Sequence, residues 1–114
     1  MNDMTTTEVL ASTTFEVPGY RVDRTMGIAW GIIVRSVGVV RGVTGGFKAL
    51  RQGEVSEYTQ VVDAARHTAF ERLVAHAHEL GGNAVIGVRF DSSDIGNGLS
   101  EIVAYGTAAV VVPA

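Results

Sequence analysis

The run from Ala65 to Asp91 constrains the fold more than any other part of the chain. An amphipathic helical pattern ends at Gly81-Gly82 and passes straight into a strand. At about 100° per residue, Tyr58, Val62, Ala65, Ala69, Leu73, Ala77 and Leu80 share one face. Ser56 is placed to cap the start, so the spacing predicts a helix over 57–80. Gly81 is expected to adopt the left-handed conformation that ends it. The Val- and Ile-rich segment Ala84–Phe90 then reads as a strand.

The rest of the chain reads as strands and connections. Residues 1–7 form a loose tail, and 8–114 a single domain. Glu8–Phe15 reads as a first strand. Pro18-Gly19 signals a type II turn, with Pro presetting one φ and Gly supplying a positive one. Tyr20–Val34 is a long strand, in which Gly27 and Gly31 mark a bend, a bulge or a close backbone approach. Ser36–Val43 fits either a strand or a short helix, and Gly42, Gly45, Gly46 and Gly53 mark a flexible loop. Asp91–Leu99 reads as a polar loop containing Asn97-Gly98, and Ser100–Val112 as the last strand. The sum is an α+β domain: a small, antiparallel-rich sheet packed on one long helix.

The last strand is apolar in both directions. Ile102, Ala104, Ala108, Val110 and Val112 alternate with Val103, Tyr105, Ala109 and Val111. One helix covers one face of a small sheet, so the other face needs a second layer. Charged residues make up only 18% of the chain against 46% hydrophobic, so little polar surface is available to hide that face. Self-association is the economical answer.

Composition narrows the chemistry. The absence of cysteine rules out disulfides, thiolate metal sites and a cysteine nucleophile. The longest apolar run, Met26–Val34, is far shorter than the ~20 residues that cross a bilayer. Residues 1–10 lack a signal-peptide pattern, so a cytoplasmic location is expected, with neither membrane nor nucleic acid as partner. Basic residues cluster from Arg21 to Arg51 and acidic ones follow, which fits neighbouring subunits with complementary faces, simply solvated charge, or a surface for an anion.

Two residue sets could bind something. Asp63, His67 and Glu71 recur every four residues, and His78 projects near the same side. Carboxylate and imidazole together suit a divalent transition metal. Trp30, Arg35 and Arg41 could hold a small anionic or aromatic ligand at a subunit interface. His76 falls toward the apolar face, as a satisfied core or interface residue does. Arg66 on the helix could anchor a carboxylate. The glycine loop from Gly42 to Lys48 lacks P-loop spacing, and Ser12, Thr13 and Thr14 have no base partner, so no catalytic group is assigned.

Several of these residues together resemble one family. They are the paired Gly27 and Gly31, Arg35 with Gly45-Gly46, the helix set Tyr58, Ala65-Arg66, Ala69 and Ala77, the junction Leu80-Gly81-Gly82-Asn83-Ala84-Val85-Ile86-Gly87-Val88, and Tyr105-Gly106-Thr107-Ala108. The chain resembles the YbjQ-like family from about Thr13 to Ala108, with Gly82 and Asn83 where the family usually has alanine and aspartate. The resemblance implies a dodecin-subunit-like fold assembled as a homopentameric ring, with strands exchanged or extended between neighbours, and a heavy-metal-binding label. On this reading the protein is a homo-oligomeric binder of small ligands. The alternative is a metal-ion binder using Asp63, His67, Glu71 and His78.

Overall fold

A computed structural model describes residues 8–36 and 56–114. Four strands, β1 (Leu10–Ala11), β2 (Tyr20–Ser36), β3 (Ala84–Gly96) and β4 (Leu99–Pro113), form a mixed sheet in the order β1-β3-β4-β2, and one helix, α1 (Ser56–Glu79), packs on it. β2 and β3 both run antiparallel to β4, while β1 runs parallel to β3. This is the expected α+β domain. The segment from 37 to 55, with its ambiguous stretch, glycine loop and Arg41, lies outside the described residues, as does the tail 1–7.

The turn chemistry acts as the residue types dictate. Gly19 has φ +85°, and the Tyr20 N–H donates to the Val17 carbonyl at 2.9 Å, which closes the Pro-Gly turn. Gly81 has φ +94°; Gly82 N–H donates to the Ala77 carbonyl and Gly81 N–H to that of His78, the paired bonds of a Schellman cap.

Two strand boundaries differ from expectation. The polar stretch after Phe90 is strand, and β3 and β4 form a long hairpin. Asn97 and Gly98 have φ values of +56° and +74°, so both central residues of the turn are left-handed, as a type I′ connection requires. The first strand pairs as regular strand only at Leu10–Ala11. Its neighbours still follow β3: Ser12 N–H donates to the Val85 carbonyl, and Gly87 N–H to that of Thr14.

The core lies between α1 and the β2/β4 half of the sheet. Ala65, Ala69, Leu73 and Ala77 are buried there against Ala29, Ile33, Ile102, Ala104 and Ala108. Small residues dominate, so helix and sheet approach closely. A Cβ on Gly31 would run into the Ala69 carbonyl oxygen and the Leu73 nitrogen. Gly27 does different work: with φ +108°, it sits at a β-bulge between Thr25 and Gly27. Val62, expected on the buried stripe, is exposed.

Leu73 and Val85 are the largest fully buried side chains. Leu73→Ala is expected to cost about 2–5 kcal/mol, the range for truncating a buried leucine. Chemical denaturation would read this as a lower midpoint at constant slope, and an unchanged midpoint would show that the alanine-rich interface carries the helix without it.

Among the described residues, no element packs over β2 on the sheet face opposite α1. Gly31 and Ile33 turn toward the helix, so by alternation Ile28, Ile32 and Val34 turn away, and they are 67%, 38% and 50% exposed. The two-sided burial pattern expected for β4 is only partly met within one chain. Ile102, Ala104, Ala108, Ala109 and Val111 are buried, whereas Val103, Val110 and Val112 are only partly covered and Tyr105 is exposed.

Candidate functional site

The helix places the metal-type residues as a row rather than a cage. His67 Nε2 lies 3.7 Å from Asp63 Oδ2, one turn away, and both side chains are exposed. Glu71 continues the row. His78 lies seven residues beyond Glu71, roughly 10 Å further along the axis at 1.5 Å per residue, too far to share an ion with the others. Among the described residues, no three His, Asp or Glu side chains of one chain are grouped to hold a metal ion.

Trp30 and Arg35 leave β2 with opposite parity and five residues apart, so one chain does not bring them together. Arg35 is half-buried, on the helix side of the sheet, and its Nε is buried without a hydrogen-bond partner. The Trp30 ring meets His76 edge-on, with centroids 4.6 Å apart and planes at 76°.

His76 has a structural task. Its Nδ1 accepts the backbone N–H of Trp30 at 3.0 Å. Arg72, one turn earlier, donates from Nη1 to the Ile32 carbonyl at 2.7 Å. Both bonds end on β2, an edge strand, so helix side chains satisfy backbone groups that no neighbouring strand satisfies among the described residues. Sequence reading placed His76 near the apolar face but could not foresee an edge-strand partner 46 residues away.

Asn83 is structural as well. Its Nδ2 donates to the Val111 carbonyl at 3.0 Å, and its Oδ1 accepts the Val111 N–H at 2.8 Å. The side-chain amide thus extends the ladder beside β4. An ionised aspartate could accept but not donate, so the amide suits this position.

No helix among the described residues is long and apolar enough to cross a membrane.

Comparison with known proteins places the chain. Residues 9–112 match the YbjQ-like family, described as "Putative heavy-metal-binding". A UPF0145 protein of Methanoregula boonei is 47% identical over 93% of this chain and 88% of its own length. The UPF0145 protein of Thermoplasma acidophilum is 49% identical, covering 91% and 87%. That of Burkholderia thailandensis is 41% identical, covering 92% and 95%. A crystal structure of a protein of unknown function from Pediococcus pentosaceus aligns with 91% of this chain and 98% of its own, at 17% identity and a TM-score of 0.49. With the family matched almost end to end and archaeal and bacterial relatives this similar, the chain belongs to the YbjQ-like, UPF0145 family.

Proposed function

We propose that this protein is a homo-oligomeric binder of small ligands, with the pentamer that the family resemblance implies as its assembly. The observation that carries the self-association is the apolar face of β2, where Ile28, Ile32 and Val34 stand exposed beside Trp30. Such a contiguous face is what a subunit interface buries. Its borders are polar: Arg89 lies across from Tyr105, and Asp91 across from Val103. An apolar centre with a charged rim is the usual anatomy of an interface. Light scattering coupled to size exclusion tests the assembly. The expected result is one species near five times the 12.0 kDa chain mass. A monomer at micromolar concentration would sink the reading, while a closed ring of another size would change only the number.

The Asp63–His67 pair favours metal binding as a second reading, since symmetry in a ring can bring copies of one residue together. If a metal binds there, His67→Ala is expected to remove it. Calorimetry with Zn, Cu and Ni on both proteins decides: equal binding by the two, or none by either, rejects this row as the site.

A further inference from the structure

α1 lies over β2 and β4 and leaves the outer half of β3 uncovered, which opens a groove between helix and hairpin. Strand register arranges its floor. Ile33, Ile102 and Ser92 lie side by side across three strands, followed by Arg35, Ser100 and Asp94. The helix supplies a wall with Val62 and Arg66. The space holds about 290 Å³, and an adjoining recess of about 200 Å³ runs between Asp63, Arg66, His67, Phe70 and Phe90. Arg66 belongs to both, and together they approach the size of ordinary small-molecule sites.

The polar groups around this groove differ in how far they are already engaged. Asp94 Oδ1 accepts the Gly96 N–H, Ser93 Oγ is bonded to Glu101, and Asp63 stands beside His67. The Arg66 guanidinium sits 5.6 Å from the Phe90 ring centroid, a cation–π contact that orients it without using its in-plane donors. Among the described residues no carboxylate lies within ion-pair distance of it. Arg35 Nε, in the row beside Ser100, is buried and unpartnered. Unspent guanidinium donors next to serine hydroxyls and apolar walls suit a planar oxyanion on an apolar body. Asp63 and Asp94 disfavour a multiply charged anion such as phosphate.

Resting on the small-ligand reading above, we propose that this groove binds small aromatic monocarboxylates. Arg66 takes the carboxylate in bidentate fashion, with Ser92 and Ser100 beside it, and Phe90 and Phe70 flank the ring.

Benzoate is the probe, with benzyl alcohol and inorganic phosphate as controls, followed by saturation-transfer NMR and calorimetry on the assembled protein. Benzoate is expected to bind, the alcohol to bind at least about tenfold more weakly, and phosphate not to compete, since a charged hydrogen-bond pair is worth roughly 1.5–3 kcal/mol. Arg66→Met should weaken benzoate at least about tenfold with an unchanged melting temperature, because Arg66 is exposed. Ser92→Val, which adds bulk to the floor at another exposed position, is the second variant should the first fail to fold. Undiminished benzoate affinity in whichever of them folds overturns the groove, as does wild-type protein that ignores benzoate. A thermal-shift screen over other ligand classes then separates the two readings. A hit insensitive to both substitutions leaves small-ligand binding standing without this groove, and no hit in any class removes both.

Discussion

Gly31→Val is expected to abolish cooperative folding. A side chain at this position would occupy the place of the Ala69 carbonyl oxygen and the Leu73 nitrogen. Those are helix backbone atoms, so no rotamer change relieves the overlap. The helix would have to lift from β2, which would uncover Ala29, Ile33 and the alanine ridge at once. Overpacking of this kind reaches the top of the range for single substitutions, about 4–5 kcal/mol, close to the whole stability of a small domain. Gly27→Ala makes the contrast. Nothing lies within 4 Å of a Cβ there, so its cost comes only from the positive φ, roughly 1 kcal/mol. Thermal circular dichroism of both variants gives the comparison. A Gly31→Val protein melting within a few degrees of wild type would show that the helix does not pack this closely on β2.

Paired aspartates on the outer face, Ile28→Asp with Ile32→Asp, are expected to dissociate the assembly and leave the subunit folded. Neither residue belongs to the core cluster, so an isolated chain keeps its interior. In an interface each carboxylate would lose its water without gaining a partner, at a cost of several kcal/mol. That corresponds to at least a hundredfold rise in the dissociation constant. Light scattering should find the mass of a single chain while the helical circular dichroism persists. An oligomer of unchanged size would place the interface elsewhere. Val111→Asp behaves differently: at 2% exposure Val111 is buried inside its own chain, so that substitution unfolds the subunit instead.

Much of the fold was legible because it is written in local rules. The Pro18-Gly19 turn, the helix and its Gly81 cap, and the glycines of β2 each follow from a residue's φ preference or its missing Cβ. Asp91, Ser92, Ser93 and Asp94 read as a loop because they are poor strand formers; pairing with β4, not their own preference, holds them extended. A loop there also hides the groove, since Phe90, Ser92 and Asp94 share a face only if the segment is strand. The roles of His76 and Asn83 depend on contacts far apart in sequence, which spacing along one element does not reveal. Asp63, His67 and Glu71 recur at one-turn spacing on one helix, and such a row does not by itself enclose an ion.

The bonds from His76 and Arg72 to β2 make the helix a chain terminator for the sheet as well as its cover. This sets an order of events for a newly made chain. Before α1 docks, a 17-residue strand with an open edge and an apolar face is on offer to any other unfinished copy. Once the helix is seated, the Trp30 N–H and the Ile32 carbonyl are already engaged, so the middle of that edge offers fewer free groups to another strand. The helix, which follows β2 in the chain, thus blunts the middle of that edge only when it docks.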